Sequence, residues 1–259
     1  MTAAPFIVAY GQGVDSTAML LGLHARGRRP DLILFADTGD EKPETYGYRA
    51  VIDGWLADRG WPAVITVRRK PTRSRVTGNV YSTLGENCLE HETLPSLAFG
   101  RKACSSKWKR EPQDAYCAAW EPARAAWAAG LRVTKAIGYD AGPQDSRRAW
   151  NLKSDHRYTY VYPLRDWGWT RERCIEEIQR AGLPVPEKSA CFYCPASKPA
   201  ELVTLHRKHP ELTARIIEME DRAKPHLTTI EGLWRRSVKG ARGATPHPGS
   251  MADFIRGLP

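Results

Sequence analysis

The chain has 259 residues, 42% hydrophobic and 26% charged, so it is long enough to bury the core of a globular protein. No apolar run reaches 18 residues and no signal-like segment opens the chain, so we expect a cytoplasmic protein with no membrane span and no membrane partner. The formal net charge of +10 favours a polyanionic partner.

The first 68 residues alternate between apolar strands and amphipathic helices. We predict strands at 6–10, 31–37 and 62–68, with helices at 15–26 and 43–59 between them. Such alternation is typical of a parallel sheet with helices on both faces, which is the Rossmann-like α/β class.

The rest of the chain has a different pattern. Residues 70–106 lack periodicity and predict a long irregular segment. A later helix is predicted to begin at Thr170, as its cap, and to close at Gly182. Beyond it we expect a small cysteine-containing helical unit, and after residue 225 a basic tail that is partly flexible.

A glycine-rich turn, "YGQGVDST", joins the first strand to the first helix. The first N–H groups of a helix lack internal partners and the helix dipole adds positive charge, so phosphate is a natural ligand here. Gly11 and Gly13 fit the start of the fingerprint G-x-G-x-x-G, in which Ser16 replaces the third glycine. Asp37, at the end of the second strand, is expected to face the same crevice. The alternative is a tight turn with a simple helix cap.

Four of the six cysteines form a candidate metal set. Cys191 and Cys194 make a C-x-x-C turn, and Cys88 and Cys104 lie in the irregular segment. Four thiolates suit either zinc or an iron–sulfur cluster, and spacing alone does not choose between them. His91 could replace Cys88 as a ligand. The alternative to a metal site is that the four cysteines are buried thiols that bind no metal.

The positive charge is clustered in three runs, at residues 67–75, 101–110 and 233–242, and tryptophan is interleaved in two of them. Cations with aromatic side chains suit phosphate contacts and base stacking, so the runs favour a nucleic-acid partner. A solvated basic face is the alternative for any single run.

With these motifs, the chain resembles the phosphoadenosine-phosphosulfate (PAPS) reductase-like branch of the N-type ATP pyrophosphatases, the PP-loop superfamily. "AYGQGVDSTAML" is similar to the family's S-G-G-x-D-S loop, with Gly-Gln in place of Ser-Gly. "LFADTGDEKPETYGY" resembles its second strand and following helix, and "AIGYDAGPQDSRRAW" its arginine-containing nucleotide motif. The segment ending in "CFYCP" is similar to the family's C-terminal region, where a C-x-x-C often contributes to a 4Fe-4S cluster.

The resemblance implies an adenine nucleotide alpha hydrolase-like fold that binds ATP with Mg²⁺ in domain 1–165, followed by a helical region, 166–259. The implied nucleotide-binding residues are Tyr10, Gly11, Gln12, Gly13, Val14, Asp15, Ser16, Thr17, Asp37, Thr38, Gly138, Arg147 and Arg148. The implied catalytic residues are Asp15, Ser16, Arg147 and Lys107. The implied ligands of the 4Fe-4S cluster, or of zinc, are Cys88, Cys104, Cys191 and Cys194.

We therefore expect an ATP-dependent adenylating sulfurtransferase that thiolates tRNA or DNA, with a sulfur donor such as a cysteine desulfurase and with a homodimer allowed. A sulfonucleotide reductase is one alternative. Its usual tail cysteine has no counterpart here, since the last cysteine in the sequence is Cys194. A zinc-stapled nucleic-acid binder without catalysis is the second alternative.

Overall fold

The computed structural model describes residues 4–95 and 103–258, and their contacts divide the chain into two compact units. Unit 1 contains residues 1–37, 42–68 and 110–189, and unit 2 contains residues 38–41, 69–109 and 190–259. The units interleave along the chain, whereas the sequence analysis divides it once, after residue 165. That single boundary stays a prediction.

Unit 1 is built on a five-stranded, fully parallel sheet with the order β3-β2-β1-β6-β7. Its strands are β1 (Phe6–Ala9), β2 (Leu32–Asp37), β3 (Val64–Arg68), β6 (Val133–Ile137) and β7 (Tyr158–Val161). Two-residue strands β4 (Thr72–Arg73) and β5 (Val80–Tyr81) belong to unit 2. The predicted α/β class with a parallel sheet is confirmed.

Helices cover both faces of this sheet. They are α1 (Val14–Ala25), α2 (Pro43–Ala57), α4 (Glu111–Ala119), α5 (Glu121–Ala128), α6 (Pro143–Asn151), α7 (Pro163–Asp166) and α8 (Arg171–Arg180). Residues of α1, α2 and α8 share one buried cluster with Val8 and Phe35, and residues of α4 and α5 share another with Ile7 and Leu34. Every residue of β2 is buried, as expected for a strand covered on both sides.

The strand order reverses between β1 and β6. From β1 the chain first adds β2 and β3 on one side, and then crosses to add β6 and β7 on the other. In open parallel sheets, ligands bind beyond the carboxyl ends of the strands at such a switch point. A ligand site is therefore expected at the loops that follow β1 and β6.

Unit 2 is mainly helical. It contains the antiparallel pair of β4 and β5, helix α3 (Leu84–Glu90), a π-helix (Ser105–Arg110), α9 (Pro199–Lys208), α10 (Pro210–Ala223), two short 3₁₀ turns (Lys224–His226 and Ala241–Gly243) and α11 (Met251–Arg256). The segment predicted as irregular, 70–106, thus contains two short strands and α3. Those strands have only two residues each, too few for a periodic pattern to reveal.

The basic tail packs into the core of unit 2. Leu233, Met251 and Ile255 are buried in its apolar cluster. The buried carboxylate of Glu220 accepts hydrogen bonds from the N–H groups of Leu233, Met251 and Ala252, at 2.6, 3.0 and 2.8 Å. A buried acceptor distant in the sequence thus holds these residues in place, and partial flexibility elsewhere in the tail stays a prediction.

Helix α8 begins and ends where the sequence predicts, but its cap is different. Thr170 occupies the cap position, yet its hydroxyl donates to the Glu172 carboxylate at 2.7 Å instead of accepting a backbone N–H. Gly182 has φ +72°, the left-handed geometry that ends many helices. In the described part of the chain, every helix is too short or too polar to cross a bilayer.

The packing of α1 against Trp167 generates a test. A methyl group on Gly22 would lie 2.2 Å from a Trp167 ring atom, so Gly22→Ala should lower the free energy of unfolding by about 1–3 kcal/mol. Gly54, in the last turn of α2, faces open space, and Gly54→Ala should instead stabilise the fold by up to about 1 kcal/mol. Urea denaturation measures both changes. Equal effects of the two substitutions would contradict the contact between α1 and Trp167.

Candidate nucleotide site and cysteine group

The glycine turn after β1 is closed by its own serine. The N–H groups of Gly11 and Gly13 donate to Ser16 Oγ at 3.1 and 3.3 Å, and the Ser16 hydroxyl donates to the Gly13 carbonyl at 3.1 Å. Ser16 is predicted to bind phosphate, and in this structure its hydroxyl shapes the turn. The turn is therefore preformed at the start of α1.

Gln12 gives this turn an unusual character. Its φ of +56° lies in the left-handed region, which costs a non-glycine residue about 1 kcal/mol or more. Its side chain is buried, and Gln12 Oε1 has no hydrogen-bond partner among the described residues. A strained backbone and an unsatisfied buried acceptor in one turn are costs that a binding function explains better than folding does.

Gly138 brings the loop after β6 against this turn. A Cβ atom on Gly138 would lie 2.9 Å from both the N and Cα atoms of Ser16, a distance that side chains do not tolerate. Only glycine allows this approach. Gly13 is enclosed in the same way, since a Cβ there would lie 2.9 Å from Ser189 Oγ.

The approach gathers three carboxylates at the switch point. One oxygen from each of Asp15, Asp140 and Asp145 lies within 4.8 Å of the others. Asp15 is in the first turn of α1, and the other two follow β6. Asp15 Oδ2 accepts from Arg171 at 2.8 Å, while Asp15 Oδ1 is buried with no hydrogen-bond partner among the described residues. Oxygen ligands at this spacing suit a hard divalent cation such as Mg²⁺.

The negative charge of the three carboxylates favours binding of a cation. Burial raises the pKa of Asp15, and the negative charges of Asp140 and Asp145 add to that effect, although Arg171 opposes it. A divalent ion would replace the missing solvation of Asp15 and relieve the repulsion among the three carboxylates.

Arg148 faces this acidic group and Arg147 does not. Arg148 donates to Asp145 at 2.7 Å, and its guanidinium lies 4.8 Å from the Tyr139 ring centre. Tyr139 is stacked on Tyr162 at 5.7 Å. Arg147 is exposed on the outer side of α6. In this structure Arg148 is therefore the arginine of the pair that contacts the acidic group.

Several residues implied as nucleotide ligands point into the protein. Tyr10, Val14 and Thr17 are buried, and the hydroxyls of Tyr10 and Thr17 lie 3.2 Å apart. Asp37 is also buried, and its carboxylate accepts from Tyr46 Oη and from Arg68 Nε, both at 2.8 Å. At the switch point, the glycine turn packs against the loop after β6. Asp37, by contrast, pairs with Arg68 of the neighbouring strand β3.

The four candidate metal ligands all lie in unit 2. Cys88 and Cys191 are members of its buried core, and Cys104 packs against it. Burial raises the pKa of Cys88 to about 12, and the charges of Asp40 and Cys104 contribute. Burial likewise raises the pKa of Cys191, with Glu41 adding to the effect. Thiols in such surroundings need a metal to stabilise their ligating thiolate form.

Asp40 ties the two cysteine segments together. Its buried Oδ2 accepts from the Gly85 N–H, at the start of the helix that carries Cys88, at 2.6 Å. The same oxygen accepts at 2.8 Å from the hydroxyl of Tyr193, inside the C-x-x-C turn. Arg215 Nη2 lies 3.3 Å from the other oxygen. One carboxylate thus positions the segments of Cys88 and of the C-x-x-C pair.

A second ion pair lies beside the C-x-x-C turn. Lys109 Nζ is 2.8 Å from the buried carboxylate of Glu41. Burial lowers the pKa of Lys109, but the negative charge of Glu41, with contributions from Cys191 and Cys194, outweighs that effect, so the net shift is upward. Thr38 Oγ1 lies 3.0 Å from Cys191 Sγ. Lys107, by contrast, is exposed.

The basic runs are partly as expected. Lys70, Arg73 and Arg75 are exposed, whereas Arg101 and Lys102 lie outside the described residues. The tryptophans of these runs belong to the packing of unit 2: Trp108 is buried, and the half-buried Trp234 donates its indole N–H to the Ser197 carbonyl at 2.7 Å. Base stacking on Trp108 is therefore wrong as a prediction.

Sequence reasoning missed the acids that organise both groups: Asp40, Glu41, Asp140 and Asp145. Asp140 and Asp145 stand in "GYDAGPQDSRR", which was examined for its arginines. The available signal was two aspartates shortly after the apolar stretch "VTKAI", which forms β6, because the carboxyl ends of parallel strands share one edge of the sheet. Asp40 and Glu41 carry the same signal, since they follow the predicted strand 31–37 by three and four residues.

No family model matches the sequence, and no curated protein matches it. Among solved structures, the chain is similar to the U34-tRNA thiolase NcsA from Methanococcus maripaludis with its 4Fe-4S cluster. The TM-score is 0.44 at 13% sequence identity, and the alignment covers 95% of this chain and 77% of that one.

The acidic group at the switch point should bind divalent cations. Asp145→Asn removes one carboxylate and should weaken Mn²⁺ binding, followed by electron paramagnetic resonance, by about tenfold or more. Glu176→Gln is the control, because Glu176 is exposed and pairs with Arg173 on the surface of α8. Equal Mn²⁺ affinity in both variants would exclude Asp145 as a ligand.

The buried Asp40 should stabilise unit 2. Asp40→Asn leaves Arg215 without its partner, and we expect a loss of about 2–4 kcal/mol in the free energy of unfolding, with faster thiol labelling of Cys88 and Cys191. Asp40 is 1% exposed at the side chain, whereas Asp221, paired with Arg256, is 47% exposed. Asp221→Asn should therefore change stability by no more than about 0.5 kcal/mol. Indistinguishable denaturation curves would contradict the role given to Asp40.

Proposed function

We propose that this chain is an ATP-dependent adenylating enzyme that transfers sulfur to a nucleic acid with the help of a cysteine-bound iron–sulfur cluster. One observation carries the proposal: Asp15, Asp140 and Asp145 converge beside a preformed glycine turn, at the point where the strand order of a parallel sheet reverses. A surface cluster of acids would not require Gly138 or leave Asp15 Oδ1 buried without a partner.

The site offers complementary groups for a nucleotide with its metal. The three carboxylates would hold Mg²⁺, which in turn binds phosphate oxygens. The first N–H groups of α1 have no intrahelical acceptors, and the helix dipole places positive charge there. Arg148, fixed against Tyr139, supplies a guanidinium for phosphate oxygens.

The proposed chemistry begins with attack on the α-phosphorus of ATP. An oxygen of the acceptor forms a bond to that phosphorus, and the bond to pyrophosphate breaks. Negative charge builds on the departing pyrophosphate, where Arg148 is placed to stabilise it. A sulfur nucleophile at the oxidation level of hydrosulfide then attacks the activated carbon and displaces AMP.

The cysteine group accounts for the sulfur in this proposal. Cys88, Cys104, Cys191 and Cys194 are the candidate ligands of the 4Fe-4S cluster, and a cluster held by three of these thiolates would offer one open iron to which sulfur can attach. The chain's own contribution is to hold the thiols in place through Asp40 and to keep a cation, Lys109, beside the C-x-x-C pair. A sulfur donor such as a cysteine desulfurase would deliver the sulfur.

A nucleic-acid acceptor is supported by charge. The net charge is +10, and exposed cations are found in both units, among them Lys70, Arg75, Lys107 and Arg147. Such a surface attracts phosphate backbones and makes binding sensitive to salt. A small-molecule acceptor would not require it.

Product analysis tests the proposal. Anaerobically reconstituted protein, given ATP, Mg²⁺, sulfide and bulk tRNA or DNA, should release AMP and pyrophosphate, and Asp145→Asn should slow that release by about 100-fold or more. Release of ADP and orthophosphate would contradict adenylation. Sulfite formed from phosphoadenosine phosphosulfate with thioredoxin would favour a sulfonucleotide reductase instead.

The metal is tested separately. Anaerobically purified protein should show a broad absorption band near 400 nm that bleaches on oxidation, as iron–sulfur centres do. Cys191→Ser should remove most of that band, whereas Cys117→Ser, at a buried cysteine of unit 1, should leave it. One zinc per chain with no ATP affinity would favour the zinc-stapled nucleic-acid binder.

A further inference from the structure

Trp150 is the most unusual exposed side chain in the described residues. It lies near the end of α6 and is 81% exposed, although tryptophan is seldom so open to water. The two tryptophans expected to stack on bases, Trp108 and Trp234, instead pack within unit 2. Trp150 of unit 1 is therefore an exposed aromatic ring on which a binding partner could stack.

The helix presents Trp150 together with Arg147. At 3.6 residues per turn, positions 147 and 150 lie one turn apart on the same face. Asp145 and the buried Ala149 lie on the opposite face, toward the acidic group and the sheet. One face of α6 thus serves the candidate nucleotide site, and the other displays an indole ring beside a guanidinium.

The inner contacts hold α6 firmly. The hydroxyl of Tyr162 donates to the carbonyls of Ala149 and Leu152, at 3.2 and 2.9 Å. Arg148 is paired with Asp145 and lies over the Tyr139 ring. Since these contacts fix the helix backbone on both sides of Trp150, the indole is carried on a rigid support, which lowers the entropic cost of using it for binding.

The charge around Trp150 indicates what covers it. Residues 147–157 contain exposed cations at Arg147, Lys153 and Arg157. The acid within that stretch is Asp155, and its Oδ1 accepts from the N–H groups of residues 157 and 158. An exposed aromatic ring one helical turn from the Arg147 guanidinium, in a segment of chain rich in cations, is complementary to a nucleobase attached to phosphates.

We propose that Trp150 and Arg147 form a platform that stacks an unpaired base of the acceptor nucleic acid, next to the site where that acceptor is activated. The inference rests on the proposed function for the identity of the partner. The base must be unpaired, because the faces of bases within a duplex are covered by their neighbours. The platform shares α6 with Asp145, so a stacked base lies within one helix length of the acidic group.

Fluorescence anisotropy with labelled 20-nucleotide single strands, in the absence of ATP, tests the platform. Trp150→Ala should weaken binding about 5- to 150-fold, and Trp150→Phe, which keeps an aromatic face, should restore most of the affinity. Val203→Ala changes an exposed apolar residue of unit 2 and should bind like the unchanged protein.

Salt dependence separates stacking from charge. Trp150→Ala should lower affinity at every salt concentration and leave the slope of log K against log salt unchanged, whereas Arg147→Ala should reduce that slope by about one. Melting temperatures of the Trp150 variants should match that of the unchanged protein, because the side chain is exposed.

If the unchanged protein, Trp150→Ala and Trp150→Phe bind the single strand with equal affinity, the platform is overturned. A preference for duplex over single strands would also overturn it. A protein partner as the true occupant would give the same result, namely oligonucleotide binding that is indifferent to Trp150. Failure of adenylation is detected independently, by product analysis of the unchanged protein with ATP.

Discussion

The close contact between Gly138 and the first turn of α1 is the constraint on which the candidate site depends. Because Gly138 has no side chain, the loop after β6 can lie directly against the turn after β1. That contact brings Asp140 and Asp145 to Asp15, and it does so at the switch point of the sheet, where backbone N–H groups of α1 also converge. A bulkier residue at this position would separate the carboxylates.

Gathering three carboxylates has an electrostatic cost that the fold only partly offsets. Arg171 neutralises one of them and Arg148 another, and both arginines come from helices that pack on the sheet. The remaining negative charge, together with the unpartnered oxygen of Asp15, is what a divalent cation would compensate. Hydrogen bonds from the Tyr162 hydroxyl to the Ala149 and Leu152 carbonyls hold α6 in place, so its inner face lies toward the acidic group while its outer face displays Trp150.

Unit 2 uses a related principle, in which a buried carboxylate collects donors from distant parts of the chain. Asp40 binds the start of the Cys88 helix and the Tyr193 hydroxyl between the two cysteines of the C-x-x-C turn. Glu220 does the same for the C-terminal tail. Low dielectric makes such satisfied networks specific, because each unpaired donor would be costly. The cysteine group is thus held by polar contacts as well as by apolar packing.

How much of this was predictable differs between elements and sites. The parallel sheet followed from apolar strands alternating with amphipathic helices, since that periodicity is local. The glycine turn and the C-x-x-C were also visible, because each is a short motif with its own chemistry. Asp140, Asp145 and Asp40 were not, since their importance comes from neighbours far away in the chain.

The sequence by itself determined the class of fold, the glycine-rich turn between the first strand and the first helix and the C-x-x-C pair, all of which depend on residues within a few positions of one another. Only the tertiary structure decided that Arg148 rather than Arg147 faces the acids, that Trp108 is buried while Trp150 is exposed, and that Asp37 pairs with Arg68. These outcomes depend on strand order and on which side of a helix meets the sheet, and neither is encoded in local periodicity.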